Sequence, residues 1–303
     1  MTLKIGLIGL GAMGSGMAQS LRRKGFDLRV FDVRKEVADA FAKDGGAACA
    51  SLAELGAQCD VVVSVVVNAA QTESVLFGSV GDKGASGVAS TMKPGSVFVM
   101  CSTVDPTVSI AFESRLAAMG LLYIDAPISG GAARAASGEM TMMTAATPEA
   151  YAKVGEVLDA MAGKVYRLGD KAGAGSKVKV INQLLAGVHI AAAAEAMALG
   201  LREGVDPAAL YEVITHSAGN SWMFENRMAH VLAADYTPLS AVDIFVKDLG
   251  IVLDMARATK FPLPLSSTAH QMFMQASTAG FAKEDDSAVI KIFPGIELPT
   301  KKP

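Results

Sequence analysis

Residues 9–14 read Gly9-Leu10-Gly11-Ala12-Met13-Gly14, directly after an apolar run at 3–8 and directly before a helical pattern at 13–24 that stops at Gly25. Three glycines in six residues at a strand-to-helix junction constrain this chain more than any other feature. A tight turn explains one of them, Gly9. Gly11 lets the backbone come close to a bound group, and Gly14 lets helix and strand pack closely. The helix that opens there points its unpaired N–H groups at the same place, which suits a pyrophosphate. The pattern predicts a dinucleotide site on Gly9, Gly11, Ala12, Met13 and Gly14.

A second apolar run, at 28–31, ends at Asp32, 18 residues after Gly14. A carboxylate there accepts hydrogen bonds from the adenosine ribose and repels a 2′-phosphate, which favours NAD over NADP. Arg34, two residues on, offers a phosphate partner and works in the opposite direction. Further apolar runs at 61–67, 97–100, 121–124, 141–145 and 165–168 alternate with helical stretches, and several lack polar alternation. Strands buried on both faces read this way, so the fold class predicted is α/β, a Rossmann-type doubly wound sheet. Ligands of such sheets lie beyond the carboxyl ends of the strands. Val66, Val67 and Asn68 close one run and Ser102 and Thr103 the next, within reach of the cofactor's second ribose and nicotinamide.

Residues 163–175 concentrate glycine and charge, and beyond them Ala, Met, Leu and Glu displace the strand-forming residues. The expected division is an NAD-binding domain at 1–168 and a helical domain for substrate binding and oligomerisation at 169–303. The pattern at 176–202 makes a helix of about 40 Å at 1.5 Å per residue, long enough to run between domains. Its stretch at 184–201 approaches a membrane span in hydropathy, but His189 and Glu195 interrupt it and alanine dominates, so a buried helix is expected. Asp206-Pro207, Gly219-Asn220, Thr237-Pro238 and Phe261-Pro262 divide the remainder into a bundle of moderate helices.

Of the 303 residues 51% are apolar and 19% charged, enough for two compact cores, and the formal net charge is −3. Without a dense run of Lys or Arg, neither nucleic acid nor an anionic membrane is an expected partner, and a small molecule is. The N-terminal residues lack the features of a secretory leader, so a cytoplasmic location is expected. Cys49, Cys59 and Cys101 lack CxxC spacing and read as reduced core thiols. His189, His216, His230 and His270 lack metal-ligand spacing, and no metal is expected.

Asp125-Ala126-Pro127-Ile128-Ser129-Gly130-Gly131 ends in a hydroxyl and two glycines, whose backbone N–H groups suit an anionic substrate group; an ordinary Pro/Gly turn fits the segment equally well. In Gly175-Ser176-Lys177-Val178-Lys179-Val180-Ile181-Asn182-Gln183, Lys179 shares a helical face with both amides. A lysine desolvated between domains and near a positive ring exchanges a proton with a substrate hydroxyl more readily, although one lysine taken alone reads as surface. Lys247-Asp248 reads as a second cation for substrate or cofactor, or as a solvated pair. Asn220-Ser221-Trp222 offers polar groups for substrate hydroxyls or an interhelical turn with a core tryptophan.

Taken together, Gly-Leu-Gly-Ala-Met-Gly at 9–14, Asp-Ala-Pro-Ile-Ser-Gly-Gly at 125–131, the step from Lys179 to Asn182 and Lys247-Asp248 resemble the β-hydroxyacid dehydrogenases in order and spacing along nearly the whole chain. Val-Val-Asn-Ala-Ala-Gln at 66–71, Ala-Gly-Asn-Ser-Trp-Met-Phe-Glu-Asn-Arg at 218–227 and Lys-Glu-Asp-Asp-Ser-Ala at 283–288 resemble a member that oxidises a four-carbon sugar acid. The resemblance implies NAD-dependent oxidation of a sugar acid at the carbon next to its carboxylate. It implies Ser129, Gly130 and Gly131 on that carboxylate, Lys179 as acid/base, Asn182 assisting, Thr103 on the cofactor and Lys247 near the nicotinamide. It also implies a homodimer or homotetramer. Where many relatives carry Asn-Asn after the lysine, this chain has Asn182-Gln183, which leaves the second amide without an assigned role. A semialdehyde reductase using NADPH and an inactive nucleotide-binding scaffold are the alternatives; Asp32 speaks against the first and Lys179 against the second.

Overall fold

The computed structural model describes residues 3–78 and 86–301. It divides into two compact units, Met1–Lys179 and Val180–Pro303. In the first, β1 (Lys4–Ile8), α1 (Ala12–Arg23), β2 (Asp27–Phe31), α2 (Lys35–Lys43), β3 (Ala47–Ala48), α3 (Leu52–Gln58), β4 (Val61–Ser64), α4 (Ala69–Phe77), β5 (Val97–Met100), α5 (Pro106–Ala118) and β6 (Leu122–Asp125) alternate. The strands form one parallel sheet in the order β3-β2-β1-β4-β5-β6. That is the dinucleotide-fold order, reversing direction between β1 and β4.

Both faces of the sheet are covered, which is why its strands read as unbroken apolar runs. Val97 and Val99 of β5 join one core cluster with Ile5, Leu7, Met17 and Leu21. Phe98 and Met100 join the other with Leu55, Leu76, Phe112 and Leu116. The period of two along β5 thus feeds two cores. Cys49, Cys59 and Cys101 are buried in these cores as free thiols. Burial pushes Cys59 and Cys101 each up to about 12.

After β6 the chain departs from a single sheet. β7 (Ile128–Ser129), α6 (Gly131–Ser137), β8 (Met140–Thr144), α7 (Pro148–Met161) and β9 (Ala162–Arg167) follow, and the three strands form a second sheet in the order β7-β8-β9. β7 runs antiparallel to β8, and β8 parallel to β9. The runs at 141–145 and 165–168 therefore do not extend the large sheet; they are held beside it by the bridge of Asp125 with Ala145.

The second unit is all helical: the continuation of α8 (Ala174–Arg202), then α9 (Pro207–Thr215), α10 (Trp222–Leu232), α11 (Val242–Ala258) and α12 (Pro264–Ala276). Asp206 and Ser221 cap α9 and α10 by accepting from Ala209 N and Phe224 N. Its core joins Ile190, Ala194 and Met197 of α8 with Met228, Phe245, Leu249 and Phe273. Composition changes at 163–175, whereas the division between the compact units falls within α8, after Lys179. The helix is long and apolar enough by length and composition to cross a membrane, and under half of its most apolar stretch is buried. It is not buried all round: Ile181, Leu185 and Leu199 are at least half exposed.

Candidate active site

The glycine turn lies where β1 gives way to α1. Gly9 has φ of +93°, and a Cβ there would stand 2.7 Å from the Val65 carbonyl oxygen. A Cβ on Gly14 would stand 1.8 Å from the Gly9 carbonyl oxygen. The protein's own backbone demands both glycines. At Gly11 an added Cβ meets nothing within 4 Å. The fold has no use for that glycine, so the open side of Gly11, flanked by the first N–H groups of α1 at Ala12 and Met13, is a cradle that fits a pyrophosphate.

Asp32, at the end of β2, is buried and accepts from Leu10 N at 2.7 Å, which ties the glycine turn to the next strand. It also accepts from Arg34 N at 2.9 Å and from Arg34 Nε and Nη2 at 3.1 and 3.3 Å. Burial raises the Asp32 carboxyl, but these hydrogen bonds outweigh it and hold the group below its usual range. Asp32 is thus a fixed negative charge, and Arg34 is neutralised by it rather than offered to a 2′-phosphate.

Beyond β4 and β5 the backbone is braced. Ser102 Oγ donates to the Val66 carbonyl at 2.8 Å and lies 2.9 Å from Thr72 Oγ1. Asn68 Oδ1 accepts from Gln71 N at 2.9 Å while Gln71 Oε1 accepts from Val67 N at 2.8 Å, which fixes Val67 and Asn68 at the start of α4. Thr103 follows the braced Ser102 and is half-buried. Ser129 ends β7, and Gly130 and Gly131 have φ of +137° and +76°. The helix they open packs hard on α1: a Cβ at Gly16 would lie 2.5 Å from Ala136 N.

Lys179 is 7% exposed, whereas Lys177 and Val178 beside it face solvent. The first turns of α8 that carry Lys179 are bonded to the end of β6. Asp125 is fully buried; its Oδ2 accepts from Gly173 N at 2.8 Å and Ser176 N at 2.9 Å, and its Oδ1 from Ser176 Oγ at 2.6 Å. Burial raises the Asp125 carboxyl, and these hydrogen bonds hold the rise in check. Lys179 therefore stands at the carboxyl edge of the sheet. From β1 to β6 is three strand spacings, about 14 Å, a span on the scale of a dinucleotide.

In the second unit, Asn182 Nδ2 donates to Gln183 Oε1 at 3.0 Å, and Gln183 Nε2 donates to Asp248 Oδ2 at 2.5 Å. Lys247 Nζ lies 2.6 Å from Asp248 Oδ1. Asn182 and Lys247, 65 positions apart, are thus joined through Gln183 and Asp248, which supplies the role for Gln183 that the sequence left open. The expected residues fall into two groups: the glycine turn, Asp32, Val67, Asn68, Thr103, Ser129 to Gly131 and Lys179 in the first unit, Asn182 and Lys247 in the second. Asp125 and Ser176 escaped sequence reasoning as a pair. The only signals were an Asp opening 125–131 and the Gly-x-Gly-Ser at 173–176. Trp222 is 52% exposed, not a core residue, and Ser221 is occupied as a helix cap.

A parallel sheet of this order, a glycine turn that leaves room for a pyrophosphate and an acidic residue on the next strand define a dinucleotide-binding oxidoreductase fold. Residues 4–169 match the family model of the NAD-binding domain of 6-phosphogluconate dehydrogenase. Residues 173–293 match the NAD-binding model of NADP-dependent 3-hydroxyisobutyrate dehydrogenase. The chain is 69% identical to an L-threonate dehydrogenase of Cupriavidus necator, over 99% of each chain. It is 52% identical to an L-threonate dehydrogenase of Escherichia coli, over 98% of this chain and 97% of the other. The crystal structure of 3-hydroxyisobutyrate dehydrogenase from Salmonella typhimurium, 52% identical, superposes with a TM-score of 0.90 over 96% of this chain and all of that one. The chain belongs to the β-hydroxyacid dehydrogenases, and it is an NAD-dependent hydroxyacid dehydrogenase.

Proposed function

We propose that this enzyme oxidises L-threonate at C2 to 2-oxo-tetronate. The observation that carries the chemistry is the burial of Lys179 on a helical turn bonded, through Ser176 and Asp125, to the carboxyl end of β6. The substrate is supported by the 69% and 52% identity to L-threonate dehydrogenases over nearly the whole of each chain. The first unit holds NAD: Gly9, Gly11, Ala12, Met13 and Gly14 take the pyrophosphate, Asp32 the adenosine ribose, and Val67, Asn68 and Thr103 the second ribose and nicotinamide. NAD, when bound, accepts the hydride from C2.

The residues of the chain do the rest. Ser129 and the N–H groups of Gly130 and Gly131 hold the carboxylate and present C2. Lys179 takes the proton of the C2 hydroxyl as the hydride departs, so that no alkoxide has to form. Asn182 donates to the same oxygen, with Gln183 and Asp248 fixing its orientation; Lys247 contributes a second positive charge toward the cofactor. The second unit serves substrate binding and subunit association, and the enzyme works in the cytoplasm. The exposed apolar positions Ile181, Leu185 and Leu199 on α8 support burial against a second copy, as a homodimer or homotetramer; sedimentation showing only a monomer would remove that part.

The test is NADH formation by the purified enzyme on L-threonate, D-threonate, D-erythronate, 3-hydroxyisobutyrate and D-glycerate with NAD or NADP. Selective turnover of L-threonate with NAD is the expected result. Activity confined to 3-hydroxyisobutyrate, the acid named in the Salmonella typhimurium relative, keeps Lys179 as acid/base but discards both the substrate and oxidation at C2, since that acid carries its hydroxyl on C3. Lys179→Ala is expected to lower turnover about 10²–10⁴-fold with NADH affinity kept, and a loss under about tenfold removes the acid/base role.

A further inference from the structure

We infer that Asp125 is a positioning residue for the reaction: a buried latch that sets Lys179 through the first turn of α8. The inference rests on Lys179 being the acid/base. Asp125 has no exposed surface, yet among the described residues no cation pairs with it. Its carboxylate accepts from Gly173 N, Ser176 N and Ser176 Oγ, and Ser109 adds a side-chain hydrogen bond. A buried carboxylate is costly, and a turn needing only a cap would be served by a surface Ser or Asp, as at α9 and α10. What the burial adds is attachment of the turn to the main sheet.

The grip falls on the catalytic face. Ser176 and Lys179 are three residues apart in a helix and therefore neighbours on one side of it. Both are buried, at 1% and 7% exposure, while Lys177 and Val178 between them are exposed. A second close approach allows no slack. A Cβ on Gly175 would stand 2.3 Å from the Met143 carbonyl oxygen and 3.0 Å from the Asp125 carbonyl oxygen. Asp125 also exchanges backbone hydrogen bonds with Ala145, its N donating at 3.1 Å and its carbonyl accepting at 2.8 Å. Its own chain leads, three residues on, to Ile128 and Ser129, the strand that ends in the carboxylate-binding loop. One residue is thus anchored to the sheet, continuous with the loop that presents the substrate and bonded to the turn that carries the base. The distance between those two parts is set by Asp125.

The role is one of geometry rather than charge, and this can be tested with isosteres. In Asp125→Asn the carbonyl oxygen still accepts from the two backbone N–H groups, and the amide donates to Ser176 Oγ. Turnover of the substrate acid at saturating NAD should fall about 100-fold in Asp125→Ala, because a misplacement of about 1 Å costs that much, and about tenfold in Ser176→Ala. Asp125→Asn should stay within about fivefold of the wild type, as displacement there is small. NADH affinity should be unchanged in all three. In a Lys179→Ala background, Ser176→Ala should cost nothing further, because residues acting through one group are not additive. A fold-level role would leave kcat per folded site intact and lower only the melting temperature. Should Asp125→Ala fail to fold, Ser176→Ala carries the test, since both backbone hydrogen bonds to Asp125 remain. Wild-type kcat in Ser176→Ala, an undiminished loss in the Lys179→Ala background, or Asp125→Asn falling as far as Asp125→Ala each overturns the latch. If Lys179→Ala itself keeps its turnover, the acid/base reading fails first, and the latch with it.

Discussion

Gly11 and Gly14 show how neighbouring glycines answer to different masters. Gly14 is required by the carbonyl of Gly9, and Gly11 by nothing in the protein. Gly11→Ala should therefore leave the melting temperature unchanged and weaken NADH binding about tenfold, ~1.4 kcal/mol, as followed by fluorescence titration. A fall in melting temperature without loss of affinity would mean that the cofactor does not approach there. Asp32 carries the second prediction at this scale. Its carboxyl is held below the usual range, so it stays ionised at neutral pH and opposes a 2′-phosphate. Asp32→Ala removes that charge and releases Arg34, and the ratio of kcat/KM for NAD over NADP should fall. An unchanged ratio takes Asp32 out of cofactor choice.

Among the elements, α8 and α11 depend on one another most visibly. A Cβ on Gly187 would stand 2.9 Å from Leu249 Cδ1, so the two helices meet closely, and Gln183 donates to Asp248 across the same seam. Asp248 is 2% exposed. Gln183→Leu removes a donor from this buried carboxylate and should destabilise the second unit by about 1–3 kcal/mol in urea titration. It should also raise KM for the acid, because Asn182 loses the acceptor that orients it. Unchanged KM would separate Asn182 from substrate binding. None of this was legible beforehand: Lys179, Asn182 and Gln183 share a helical face by spacing alone, but the partner of Gln183 lies 65 positions away, and only helix packing brings it there.

The whole molecule's response to acid should be governed by a buried cluster in the second unit. Asp285 accepts from His230 Nδ1 at 3.0 Å, from Ser287 N and Oγ at 3.1 and 2.7 Å, and from Leu239 N at 3.2 Å. Asp286 beside it accepts from Nε and Nη2 along one edge of the Arg227 guanidinium, and burial pushes its carboxyl up to about 6. Burial raises Asp285, but the His230 and Ser287 hydrogen bonds and the Arg227 charge outweigh it, leaving the carboxyl at about 2 against an ordinary 3.8. His230 is raised above its ordinary 6.5, chiefly by its hydrogen bond to Asp285. Asp285 thus stabilises above pH 3.8 and ceases to as pH falls through about 2; His230 stabilises below pH 6.5 and ceases to as pH rises through its raised value. Asp285→Asn should therefore cost about 2 kcal/mol near pH 4–5, less as pH falls through about 2 and less above about 6, where Asp286 ionises against Asp285, as measured by urea unfolding of the second unit. A cost independent of pH would show that packing, not charge, holds the cluster.

What the sequence by itself determined is what is local: the strand, glycine turn and helix at 4–23, the carboxylate closing the next strand, and the change from a sheet to helices near residue 170. Such features are decided by contacts within a few tens of residues and by the period of apolar side chains. They were enough to propose the dinucleotide-binding residues, whereas Lys179 taken alone read as a surface lysine until the resemblance of several motifs in register singled it out. Tertiary structure alone decided the two-residue β3, the separate β7-β8-β9 sheet, the half-exposed face of α8 and the exposure of Trp222. It alone joined Asp125 to Ser176 and Gln183 to Asp248. The reason is that a buried carboxylate has no local preference for its donor: its partner is whichever N–H or hydroxyl the packing of strands and helices delivers, and that packing is cooperative across the chain.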